Sequence, residues 1–209
     1  MQDMTMQLWE KQNWHPGDRM ALFSTVADAL DVSSMLYPGS YVDIAPSFVV
    51  DDVTYVDVDR RAARFFADTE GVDEIIAEHR GGSGSVTWEF IHADYTSDLG
   101  LAEKSVDLLV SLYAGFISEH CTQHLKRGGH LLVNPSHGDA AMASIDPRYE
   151  LAGVLRTGKG GAYTVSDASL DTYLIPKRGV SVTKQMLHET NRGIGYTKSP
   201  FAYLFERVS

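Results

Sequence analysis

Segments with a strand's preference for β-branched and aliphatic residues alternate with helix-patterned segments along most of this chain. That alternation constrains the fold more than any other feature. Asp18 can cap an amphipathic helix through Leu30 whose apolar set is Met20, Leu22, Phe23, Val26 and Leu30. A short apolar run, Met35–Tyr37, is stopped by Pro38-Gly39. Val53–Val58 is β-branched and aromatic, as a strand prefers, and Asp59 can cap a following helix carrying Ala62, Ala63, Phe65 and Phe66. The pattern continues with a helix at Asp73–His79 and strands at Val86–Ala93 and Val106–Leu112. A helix over Phe116–Lys126, ended by Gly128-Gly129, then precedes a strand at His130–Asn134. Strands alternating with helices predict an α/β fold with a doubly wound, mostly parallel, Rossmann-like sheet. The last third differs. Tyr149–Arg156 and Ala162–Val165 flank a hairpin turn at Thr157–Gly161, a helix is expected within Ser181–Asn191, and Phe201–Val208 reads as a terminal strand. This predicts an antiparallel C-terminal edge.

Length and composition narrow the class further. The 209 residues fit a single domain, taken as 1–209 with 1–31 as an N-terminal helical extension. A lone cysteine, Cys121, excludes an internal disulfide and a multi-cysteine zinc cluster. With 18 Lys and Arg against 28 Asp and Glu the formal net charge is −10, which argues against charge-driven binding to nucleic acid or anionic membranes. Met1 to Trp14 lacks the apolar core of an export signal. The longest apolar stretch, around Leu108–Ile117, falls short of the roughly 20 residues a membrane span needs. A cytoplasmic setting is the simplest expectation.

In doubly wound sheets ligands bind beyond the carboxyl ends of the strands, so those ends are where chemistry is expected. After the first strand, Gly39 allows close backbone approach, Ser40 offers a hydroxyl, and Asp43 offers an acceptor for an ammonium or hydroxyl. Asp57 ends the second strand 18 residues beyond Gly39, the separation at which a carboxylate grips a ribose diol in nucleotide-binding folds. Asp59 competes for that role, although a helix cap suits it better. At the third strand end, Asp94 can accept from an exocyclic amine and Tyr95 can stack on a base. The fourth end, Ser111-Leu112-Tyr113-Ala114-Gly115, leaves room above the sheet.

These residues resemble a class I S-adenosylmethionine-dependent methyltransferase over roughly residues 18–135. The resemblance is carried by Gly39 in YPGS, Asp57 in YVDVD, Ala93-Asp94 in HADY, Asp107-Leu108-Leu109 in VDLLVS and the run Leu125-Lys126-Arg127-Gly128-Gly129-His130-Leu131-Leu132-Val133. It implies S-adenosylmethionine as cofactor. Asp57 would hold the ribose, Gly39, Ser40 and Asp43 would serve the methionine end, and Asp94 with Tyr95 would receive the adenine. Tyr113 and His137 become the acceptor-side residues, with a small-molecule acceptor expected. The family's first motif usually has three glycines after an acid. Here Tyr37 stands near the acid's place, and Tyr41 and Asp43 occupy glycine places. That departure keeps a non-catalytic binding module open as the alternative. An NAD-dependent oxidoreductase is less favoured, because G-x-G-x-x-G is missing.

Other constellations read as structural. His120 and His124 have a spacing that can share a metal on one helical face, but fall near the apolar arc of Ile117, Cys121 and Leu125. They are expected to be packed and hydrogen-bonded, with no metal, and Cys121 an inert buried thiol. His137 and Asp139, after the fifth strand, are placed to act on an acceptor or to cap the loop. Trp9 and Trp14 with Pro16 either cover a ligand or pack on the domain. Asp43, Asp57, Asp59, Asp94 and Asp139 together predict an acidic rim able to receive a sulfonium cation.

Overall fold

The computed structural model describes residues 3–13, 18–80, 85–179 and 181–209. Trp14, Pro16 and most of the Gly81–Ser85 connector lie outside them. The backbone divides into two compact units, Met1–Leu99 and Gly100–Ser209.

The first unit begins with helices α1 (Asp3–Gln12) and α2 (Asp18–Leu30). Strand β1 (Ser34–Pro38) leads through a short 3-10 turn to β2 (Asp52–Asp57), followed by helices α3 (Arg60–Ala67) and α4 (Thr69–His79) and strand β3 (Thr87–His92). The strands are parallel with β2 central, pairing Leu36 with Thr54 and Val56 with Ile91. Helix α3 buries Ala62, Phe65 and Phe66, an i, i+3, i+4 stripe, and the Phe66 ring stacks on Phe90 at 4.4 Å. The N-terminal start of α4, earlier than its apolar pattern predicts, follows from Asp68. That carboxylate accepts from the Gly71 amide at 3.3 Å and from the Thr5 hydroxyl at 2.6 Å, tying α1 to the α3–α4 corner. Trp9 is buried against Phe48 and His79, so it packs on this unit.

The second unit holds β4 (Val106–Ser111), helix α5 (Ile117–His120), β5 (Leu125–Val133), helix α6 (Asp139–Ile145), the hairpin β6 (Tyr149–Thr157) and β7 (Tyr163–Ser166), helix α7 (Lys184–Thr190) and β8 (Ala202–Arg207). Strands β4 and β5 are parallel. Strand β8 lies between β5 and β6, antiparallel to both, and β7 forms the outer edge. The eight strands thus make a mostly parallel, Rossmann-like α/β fold with an antiparallel C-terminal edge. Among the described residues no helix is long and apolar enough to cross a membrane.

Two expectations fail between β4 and β5. The helix expected over Phe116–Lys126 ends after His120, and the chain is extended by Leu125. Arg207 supplies the reason: its guanidinium donates to the carbonyls of Thr122, at 2.7 Å, and Leu125, which need no further helix amides. Gly128-Gly129 is therefore not a helix cap. It forms a bulge within β5, where the register passes from Val106 opposite Leu125 to Leu108 opposite His130. Gly128 has a φ of 77°. A Cβ on Gly129 would lie 2.9 Å from the Asp107 carbonyl oxygen.

Candidate functional site

In the first unit the loops after β1, β2 and β3 carry the expected residues. Gly39 has a φ of 70°, and its N–H donates to the Val56 carbonyl at 2.8 Å. Tyr41 also adopts a positive φ, 50°, unusual for a bulky residue. Two contacts hold it: its N–H donates to Asp57 Oδ2 at 2.7 Å, and the Arg61 guanidinium lies over its ring at 5.2 Å. Asp57 Oδ1 accepts from the Asp59 amide at 2.7 Å. One carboxylate thus joins the loops after β1 and β2.

Asp59 spends its own carboxylate on α3. It accepts from the Arg61 amide at 2.7 Å and from the Arg61 guanidinium, which together hold its pKa down to about 2. This leaves Asp57 as the better ribose candidate, since a carboxylate has about four acceptor positions and two are used among the described residues.

The methionine-end residues are arranged differently from expectation. Asp43 is 2 % exposed and ion-paired with Arg19 of α2, whose Nε donates to Oδ2 at 2.7 Å. Tyr37 donates to the same oxygen at 3.2 Å, and burial pushes the Tyr37 phenol far above its ordinary range. Ser40 is equally buried, with Oγ facing the Tyr41 carbonyl at 3.4 Å. The turn is closed on itself. Beyond β3, Asp94 Oδ1 accepts from the amide and hydroxyl of Thr96 at 2.9 and 2.8 Å, with Tyr95 half-exposed beside it. The acids do gather at these strand ends, but Arg19 and Arg61 neutralise two of them.

In the second unit Tyr113 follows β4, 58 % exposed with a φ of 66°, and its ring meets His137 edge-on at 6.4 Å. The Ser136 hydroxyl donates to Asn134 Oδ1 at 2.7 Å and lies 2.7 Å from His137 Nδ1. The Ser136 hydroxyl thus links Asn134 to His137 Nδ1. Sequence reasoning missed this Asn134–Ser136–His137 chain, although its members stand within four residues.

Asp139 does not face an acceptor. It is 2 % exposed, accepts from the Ser111 hydroxyl at 2.5 Å and from the Ser118 amide at 3.1 Å, and so ties the end of β4 to α5 and α6. Burial raises its pKa to about 6 against those hydrogen bonds. His120 and His124 do not share a helix. His124 is buried with Nδ1 3.1 Å from the Ala102 carbonyl, whereas the His120 side chain is 37 % exposed. Cys121 is buried, and burial pushes its thiol up to about 12. Among the described residues no group of three or more His, Cys, Asp or Glu stands where it could hold a metal ion.

Solved structures share this arrangement of strands, methyltransferases among them. A candidate S-adenosylmethionine-dependent methyltransferase of Methanococcus maripaludis is 11 % identical with a TM-score of 0.53, covering 99 % of this chain and 92 % of that one. A candidate O-methyltransferase of Klebsiella pneumoniae is 10 % identical with a TM-score of 0.52, covering 79 % and 88 %. No protein-family model and no curated protein matches the sequence.

Proposed function

We propose that the protein binds S-adenosylmethionine and transfers its methyl group to a small-molecule acceptor not yet identified. The observation that carries this reading is Asp57, a carboxylate at the end of β2 in this fold, with acceptor positions left over from its two backbone partners. Asp94 and Tyr95 would receive the adenine. The fit is good at the ribose and poor at the methionine end. There Gly39, Ser40 and Asp43 already serve the turn's own contacts and reach a ligand only if Arg19 releases Asp43. S-adenosylmethionine supplies an already activated methyl group, so what is asked of the protein is alignment and a base for the acceptor. His137 is the candidate base, with the Tyr113 hydroxyl as its neighbour on the acceptor side. The cytoplasm remains the proposed location.

The closed first turn favours a second reading, a binding module that keeps the fold without catalysis. Calorimetric titration with S-adenosylmethionine, S-adenosylhomocysteine and NAD separates the readings, repeated on Asp57→Ala and Asp57→Asn checked for fold by circular dichroism. Micromolar binding of both adenosyl ligands, lost in the folded variants, supports the lead. Binding of S-adenosylhomocysteine with no methyl transfer to any acceptor tried points to the module. NAD binding alone would refute the lead.

A further inference from the structure

The net charge of −10 conceals an uneven division. Met1–Leu99 carries 6 Lys and Arg against 18 Asp and Glu, net −12, while Gly100–Ser209 carries 12 against 10, net +2. The basic excess of the second unit concentrates between residues 172 and 201, where Lys177, Arg178, Lys184, Arg192 and Lys198 face Glu189 as the lone acid. Lys184 pairs with Glu119 at 2.5 Å, and Lys198 lies 4.0 Å from the centre of the Tyr173 ring. Lys177, Arg178 and Arg192 are exposed and make no ion pair among the described residues.

Two of these free cations line a concavity of about 330 Å³, together with Pro176, Gly193, Ile194 and Gly195. Its walls are fixed. Lys177 N–H donates to the Gly195 carbonyl at 2.8 Å, Thr197 N–H donates to Ile175 at 2.9 Å, and the Pro176–Tyr196 bridge joins the two segments. Gly193 N–H donates to the Ser136 carbonyl at 3.2 Å, and a Cβ at Gly193 would lie 2.0 Å from the Pro135 carbonyl oxygen. Two glycines and Ile194 thus line the cavity beside two unneutralised cations. A second cavity, of about 310 Å³, makes the contrast. Its Arg148 and Lys184 are matched by Asp146 and Glu119 in the same lining. Of the two, only the cavity at Lys177 has cations and no carboxylate.

We propose that this cavity binds a small phosphate-bearing anion. A lysine ammonium and an adjacent arginine fork together match the charge and the geometry of one phosphate group. The volume lies at the low end for ligand sites, enough for a phosphate ester of a few carbons and too small for a polymer. An acidic protein repels anions at long range, so a local basic cavity is needed to capture one. The proposal rests on the second unit alone and stands apart from methyl transfer.

The test is calorimetric titration of the full chain with inorganic pyrophosphate and with ribose 5-phosphate at low ionic strength. Saturable binding is expected, weakened at least about tenfold in Lys177→Glu/Arg178→Glu and unchanged in Arg60→Glu/Arg64→Glu, which makes the same charge change on the first unit. Preference for pyrophosphate identifies a free inorganic anion as the ligand, and preference for ribose 5-phosphate a phosphate ester. Failure to saturate, or equal weakening in both double variants, overturns the proposal.

Discussion

Two carboxylates show how differently one residue type can be spent. Asp57 is half-buried and serves two backbone amides, so Asp57→Ala removes two charge-assisted hydrogen bonds as well as the ligand contact. A loss of roughly 2 kcal/mol is expected from urea unfolding, with Asp57→Asn milder because one acceptor remains. Asp139 is fully buried, with a folded pKa of about 6 against 3.8 unfolded. The folded state therefore holds the proton more tightly. The resulting stability is present in full below 3.8 and is lost as pH rises through about 6. Between those values the stability of the wild type relative to Asp139→Asn should fall with rising pH, read from unfolding midpoints across the range. An unchanging difference would show that the proton does not sit there. The Asp59 cap was legible in the sequence because its partner Arg61 is local, and Asp57 because it ends its own apolar run, although its Tyr41 partner lies 16 residues away. Arg19 pairs with Asp43 across 24 residues, and Ser111 reaches Asp139 across 28. No local pattern encodes either contact; Asp43 was expected to face ligand, and Asp139 either to act on an acceptor or to cap the loop.

At the level of elements, the strands were legible wherever an apolar run carried its own boundary. Val53–Val58 corresponds to β2 and Phe201–Val208 to β8, each within two residues at either end. Helix α3 was legible for the same reason, with cap and stripe adjacent in sequence. The α5 region was not, because the residue that stops the helix, Arg207, lies 82 residues beyond Leu125. The two glycines that suggested a helix cap provide a contrast that can be measured. Gly128→Ala meets nothing within 4 Å and costs only the left-handed backbone, about 1 kcal/mol. Gly129→Ala drives a methyl against the backbone oxygens of Asp107 and Lys126, at 2.9 and 3.0 Å. That should cost about 2–3 kcal/mol by denaturant unfolding.

For the whole molecule, the fold class was legible, and the site only in part. The resemblance located the strand ends correctly. It could not show that a divergent first turn closes on Arg19, nor that the charge divides into a strongly acidic and a slightly basic half. Screening gives that division a measurable form: added salt should weaken the anion binding proposed at Lys177 and Arg178 while raising unfolding midpoints, because it screens the self-repulsion of the acidic half. A second expectation concerns β8. Removing residues 202–209 deletes the strand between β5 and β6 and strips cover from Leu131, Leu132, Val154 and Leu155. Amide-exchange protection over 125–157 should collapse, while β1–β3, which pair among themselves, should retain theirs.

The position of β8 also sets an order of birth. The three strands of the first unit have all been synthesised once His92 is made, so they can begin pairing while later codons are still being read. In the second unit β4 can pair with β5 and β6 with β7, but the two pairs are joined only through β8. Strands β5 and β6 each wait with one open edge until Arg207 has left the ribosome. A slow translation step placed between β7 and β8 would lengthen that exposure.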